Sequence, residues 1–167
     1  MNAAYTQRGV GMIEVLIAIL VLAVGALGFA GVQLVAMQNA ENANHRSAAM
    51  LIAQDAVERI QSNPGAIGDY ISARSVAVPT SAPTQACTGS CDISQLDLAQ
   101  LAWVANQTLP NGLIKIDGCD FSGLTCVVVN WGERQEGDNA NSIDSCMSAS
   151  GINVSDESNC LVMEFSR

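Results

Sequence analysis

Arg8-Gly9-Val10-Gly11-Met12-Ile13-Glu14-Val15-Leu16-Ile17-Ala18-Ile19-Leu20-Val21-Leu22 opens an apolar run that continues to about Met37. No charged residue lies between Val15 and Ala40. At about 1.5 Å of rise per residue, this is enough helix to cross a hydrocarbon core of about 30 Å. Arg8 precedes the run and no further Lys or Arg occurs until Arg46. The positive-inside bias then leaves the N-terminus in the cytoplasm and the remainder outside. Glu14 breaks the pattern, because an unpaired carboxylate costs about 2–3 kcal/mol at the bilayer centre. It is the fifth residue counted from Val10. A cut after Gly9 would free an amine at Val10, and Glu14 of a neighbouring copy could pair with such an amine.

The helical pattern does not stop where the apolar run ends. Ala49, Ile52, Ala53, Ala56, Val57 and Ile60 recur at steps of three and four, which marks one face of a continuing helix. Asn63-Pro64-Gly65 is a stop signal, since proline cannot continue the hydrogen-bond ladder. One helix from about Gly11 to Ser62 would span about 78 Å. Its first half suits a membrane and its second half offers a stripe for a small sheet to cover. Gly25, Gly28 and Gly31 repeat at threefold spacing, a pattern that permits close helix approach and also weakens a helix locally. A conventional export signal is the competing reading, with Gly28-Phe29-Ala30 as its cleavage site and Gly31 as the new terminus. The glutamate and the unbroken helical pattern argue against it.

The formal net charge of −9 over 167 residues falls entirely beyond Ala40. Such a surface repels phosphate backbones, so direct nucleic-acid binding is not expected. All six cysteines, Cys87, Cys91, Cys119, Cys126, Cys146 and Cys160, also lie in this polar part. An even count after an export segment reads as a disulfide framework in an oxidising compartment. Zinc is the alternative, but the spacings are not CxxC and the sole histidine, His45, is far upstream. Of the 15 connectivities that six cysteines allow, the sequential one is preferred, because each pair brackets a short, turn-like loop.

Beyond the long helix, residues 79–83 read as a loop. Ser94 and Asp97 resemble a capping box, with Leu96, Ala99, Trp103 and Val104 as a candidate buried face. Pro110-Asn111-Gly112 ends that helix. Residues 113–116, 125–131 and 160–165 carry strand patterns, the first two spaced for a hairpin. The fold class expected is α+β: a long N-terminal helix, half membrane segment and half amphipathic, packed on a small disulfide-stapled antiparallel sheet. Residues 132–159 are polar, acidic and irregular.

No arrangement of nucleophile and base is visible. His45 beside Arg46 reads as a solvated or packing residue. Asp138 to Asp144 carries oxygen ligands at alternate positions but lacks the central glycine and terminal glutamate of a calcium loop. Trp103 and Trp131 read as core or sheet residues. The sequence therefore predicts no enzyme, no cofactor and no metal.

The N-terminal motif resembles a prepilin leader: Arg8-Gly9, a hydrophobic residue, glutamate at the fifth position, then an apolar helix. The rest is similar to the type IV pilin-like family, in particular PilV-type minor pilins, through Cys87 and Cys91, Asp97 and Trp103, Leu109-Pro110-Asn111-Gly112, and Cys126 to Trp131. The resemblance implies cleavage by prepilin peptidase between Gly9 and Val10, N-methylation of Val10, and an assembly role for Glu14. It implies residues 1–9 as leader, 10–37 as transmembrane and filament-core helix, 38–63 as its amphipathic half, and 64–167 as a periplasmic or extracellular pilin domain. It further implies initiation of type IV pilus assembly at the pilus tip, in support of twitching motility, adhesion and DNA uptake. The partners implied are other minor pilins, the major pilin, a tip adhesin and the inner-membrane assembly platform. A type II secretion pseudopilin shares the leader and helix. A membrane-tethered module whose acidic loop captures a ligand is the alternative from another class.

Mass spectrometry of the N-terminal peptide, taken from protein extracted from its host membrane, is expected to show methylated Val10 as the first residue. A chain beginning at Met1 or at Gly31 would remove the leader reading.

Overall fold

The structure is a computed structural model that describes residues 11–73, 77–83, 92–132, 143, 146–152 and 159–166. The chain divides into two compact units, residues 1–43 and 44–167. In the first unit the described residues are the opening part of helix α1 (Met12–Ser62). Its apolar side chains from Met12 to Met37 are exposed rather than packed against the chain itself. The membrane-length apolar helix expected there is present, and among the described residues nothing covers it.

The second unit is built on the end of α1. Ala49, Ile52, Ala53, Ala56 and Ile60 are buried, while Val57 is partly covered. The helix ends at Asn63, whose N–H still reaches the Ile60 carbonyl at 3.1 Å. The ring of Pro64 then pushes Asn63 out of the helical region (φ −131°) and removes the next donor. A 3-10 turn (Pro64–Ala66) follows and leads directly into a short helix α2 (Ile67–Ala73), which the sequence pattern did not suggest. Seven residues give only two turns of periodicity, too few to stand out from a loop.

Helix α3 (Ile93–Thr108) corrects two expectations. Its N-cap is Asp92, whose carboxylate accepts the Ser94 N–H at 3.1 Å and the Ser94 hydroxyl. The capping box built on Ser94 and Asp97 is therefore absent, and the Asp97 side chain is used elsewhere. The buried face is Leu98, Leu101, Ala102, Ala105 and then Leu109, not Leu96, Ala99, Trp103 and Val104. Both sets fit a 3.6-residue period. The inward one leaves Asp97 and Gln100 beside Arg59, whereas Val104 turns to solvent.

Strands β1 (Leu113–Gly118), β2 (Thr125–Asn130) and β5 (Cys160–Phe165) form an antiparallel sheet in the order β1-β2-β5. Ile114 pairs with Val129 and Ile116 with Val127, and these two valines pair in turn with Leu161 and Met163. Because side chains alternate across a strand, this register directs Ile114, Ile116, Val127, Val129 and Phe165 into the cluster formed with α1, α2 and α3. The opposite sheet face has its own cluster of Cys119, Cys126, Val128, Ile143, Cys146 and Met147. Strand β2 is thus covered on both faces, in accord with its continuous run Val127-Val128-Val129. A two-stranded ribbon, β3 (Met147–Ser148) with β4 (Gly151–Ile152), lies in the stretch read as irregular.

The turn after α3 fixes how the sheet leaves the helices. Leu109 adopts an extended conformation before Pro110, Asn111 takes a left-handed φ of 51°, and Gly112 donates to the Leu109 carbonyl at 3.1 Å. A Cβ on Gly112 would stand 2.1 Å from the Ala105 carbonyl oxygen, a backbone atom that cannot yield. Gly112→Ala is expected to lower unfolding free energy by at least about 2 kcal/mol. Urea titration of the detergent-solubilised chain, followed through tryptophan fluorescence, would measure it.

Candidate functional site

Glu14 lies in the first turn of α1, where the Gly11 carbonyl accepts the Glu14 N–H at 2.9 Å. A carboxylate there meets the positive end of the helix dipole, an interaction worth about 0.3–1 kcal/mol. Its surroundings are apolar: Met12, Ile13, Val15 and Leu16 are all exposed. The arrangement is a single anion near the start of an uncovered apolar rod, with Glu41 as the next charge along the chain. Such a rod is stable only against lipid or against other apolar helices. Gly25, Gly28 and Gly31 lie on it, and among the described residues no atom occupies the space a Cβ would take. Gly9 and Val10, the expected cleavage and methylation positions, lie outside the described residues, as do Cys87 and Cys91.

The globular unit contains a polar hub that sequence reasoning missed. Arg59, in the last turn of α1, donates to Asp55 at 3.0 Å, to Asp97 at 2.9 Å and to Gln100 at 2.8 Å. Asp97 accepts a further bond of 2.5 Å from the buried Tyr70 hydroxyl. One guanidinium and one carboxylate therefore tie α1, α2 and α3 together. The Arg59 side chain is 29% exposed and that of Asp97 15%, so both are partly shielded from water. Burial alone would lower the Arg59 pKa, but bonds to Asp55 and Asp97 hold it above its usual value. Burial, then the bond to Asp97, pushes the Tyr70 hydroxyl well above its usual 10.0. The Ser94 hydroxyl and backbone N–H groups hold the exposed Asp92 carboxyl below its ordinary range. The Asp55–Arg59 step of four could be read as a helix pair from sequence. The partners on α3 and α2 could not.

Disulfides join Cys119 to Cys126 (Cα–Cα 5.1 Å) and Cys146 to Cys160 (5.7 Å). His45 is partly buried, Trp103 is partly buried, and Trp131 belongs to the helix-side core. The calcium-like stretch lies outside the described residues except for Ile143, which packs in the second cluster. Among the described residues there is no grouping of His, Cys, Asp and Glu able to hold a metal.

Comparison with protein-family models gives two matches. Residues 31–103 match the Tt1218-like family, described as type IV pilin Tt1218. Residues 5–30 match the prokaryotic N-terminal methylation motif. The two matches are contiguous and run from residue 5 into α3. Neither the curated proteins nor the solved structures give a significant match.

Asp97→Ala is expected to destabilise the unit by about 2–3 kcal/mol, because it leaves Arg59 and Tyr70 without their shared acceptor. The raised Tyr70 pKa adds a pH dependence. Its contribution is fully present below the unfolded value of about 10 and is lost as pH rises towards the folded one. Equilibrium unfolding above pH 10 should therefore fall off less steeply in Tyr70→Phe than in the wild type.

Proposed function

Starting from a type IV pilin-like chain that carries the N-terminal methylation motif and an α+β pilin fold, we propose that it is a minor pilin of the PilV type. In this reading residues 1–9 are a leader removed by prepilin peptidase between Gly9 and Val10, and the new Val10 amine is methylated. The helix over residues 10–37 holds the subunit in the inner membrane by a single pass, with the N-terminus cytoplasmic. Residues 38–63 are the amphipathic half, and residues 64–167 are the periplasmic domain that later joins the fibre. The subunit acts with other minor pilins, the major pilin and a tip adhesin on the assembly platform, initiating the pilus at its tip. Twitching motility, adhesion and DNA uptake then follow from extension and retraction of the fibre. The chain's own role is structural, with no catalytic step and no cofactor.

The observation that carries this reading is Glu14. Among the described residues, this lone carboxylate on an exposed apolar helix has no polar partner in that surface, which makes a second subunit's amine its natural counter-ion. Transfer from bilayer to fibre replaces lipid by neighbouring helices around the same residues, so burial is kept while the charge gains a partner. The methylation motif and the apolar helix support membrane anchoring and pilus association.

Deleting the gene is expected to remove surface pili, counted by electron microscopy. The wild-type copy should restore them and Glu14→Ala should not. Full restoration by Glu14→Ala would remove the pairing role. Intact pili with loss of an exported enzyme would assign the chain to a type II secretion pseudopilus instead.

A further inference from the structure

The two sheet faces are held in different ways. The helix-side core draws residues from α1, α2, α3 and the sheet, and the polar hub closes it. The opposite cluster is small, and its buried members include Cys119, Cys126 and Cys146. Among the described residues, the β3–β4 ribbon over that face pairs only with itself, as a two-stranded sheet separate from β1-β2-β5. No strand ladder joins it to the sheet. Among the described residues, what fixes it there is packing of Ile143 and Met147 and the covalent bond from Cys146 to Cys160.

That bond is set up differently from its neighbour. Cys119 and Cys126 are both buried within their hairpin. Cys146 is fully buried, but Cys160 is partly exposed at the start of β5, an edge strand. The Asn130 side-chain amide lies across both sulfurs, with Nδ2 3.6 Å from Cys146 Sγ and 3.5 Å from Cys160 Sγ. Its orientation is fixed by donation to the Asn159 carbonyl at 3.2 Å. Sulfur in a disulfide is a weak acceptor, whereas a thiolate accepts strongly. A donor aimed at both sulfurs thus favours the state in which one of them leaves as thiolate.

We propose that Cys146–Cys160 is a redox modification site, opened selectively by a dithiol reductant, with Asn130 as the positioning residue and the β3–β4 ribbon as the strap it releases. One thiolate of the dithiol attacks Cys160 Sγ, forming a mixed disulfide and expelling Cys146 as thiolate, which the Asn130 amide stabilises. The second thiol of the reductant then displaces Cys160. The protein gains two electrons and two protons, and the reductant leaves as its own disulfide. Opening frees the strap from the face carrying Val128 and Val162 and leaves the helix-side core closed. The apolar sheet face so exposed lies on the side away from the helices.

The test uses the full chain in detergent, titrated with dithiothreitol and quenched by differential alkylation. Peptides holding each cysteine are read separately by mass spectrometry. Cys146 and Cys160 are expected to label at least roughly tenfold sooner than Cys119 and Cys126. Hydrogen exchange should then accelerate over residues 146–152 while α3 and β1 keep their protection. Asn130→Ala and Asn130→Asp should slow opening by roughly three- to tenfold and move the pH profile of alkylation of the freed thiols upward. The upward move is a change that a merely structural role would not produce. Opening of Cys119–Cys126 first, or loss of α3 protection together with the first disulfide, would overturn the proposal. An Asn130→Asp chain that keeps α3 protected and shows an unchanged rate and pH profile would overturn the role of Asn130.

Discussion

The stripe Ala49, Ile52, Ala53, Ala56 and Ile60 on α1 must be kept from water, and the globular unit is organised around that requirement. A lone amphipathic helix has no means of doing so. Three independent elements supply the cover: Tyr70 from α2, Leu98 to Ala105 from α3, and the inward faces of β1, β2 and β5. Each contributes residues worth about 1.5–3 kcal/mol apiece when large and fully buried. The break at Pro64 serves the same end, since it stops α1 and lets α2 start at once.

Apolar burial is non-directional and does not by itself fix how three helices meet. The Arg59 hub supplies direction. A planar guanidinium with several donors reaches two helices at once, and Asp97 uses its two oxygens for two different partners. Placing this network at the edge of the core limits the desolvation cost that a fully buried ion pair would carry. Its half-exposed member, Asp55, faces solvent and adds charge to the acidic surface.

The first part of α1 obeys the opposite rule. Its side chains are as apolar as those of a core, yet among the described residues nothing covers them. The same helix is thus covered by folded protein in one unit and exposed along its apolar length in the other. Glu14, in the first turn, is the one charge on that exposed part before Glu41. The two disulfides among the described residues belong to a third environment, the far sheet face, whose buried cluster is small.

Much of this was legible in the sequence because the signals were long or covalently specific. The apolar run, the α1 stripe and the three principal strands follow from patterns along the chain, and the glutamate stands out because it breaks the apolar run. Short elements were not legible: α2 and the β3–β4 ribbon have too few residues for any period to emerge. The face of α3 was misread because both Leu98/Leu101/Ala105 and Leu96/Trp103/Val104 satisfy a helical repeat, and only the position of α1 and the sheet selects one. Asp97 read as a local capping residue because its true partners, Arg59 and Tyr70, are 38 and 27 positions away. Sequence alone thus determined where this chain is apolar, where it breaks and what its N-terminal motif resembles, since those depend on neighbours along the chain. Tertiary structure decided which helix face turns inward, where the Arg59 guanidinium finds its carboxylates, and what covers each side of β2. Those depend on groups that only folding brings within bonding distance.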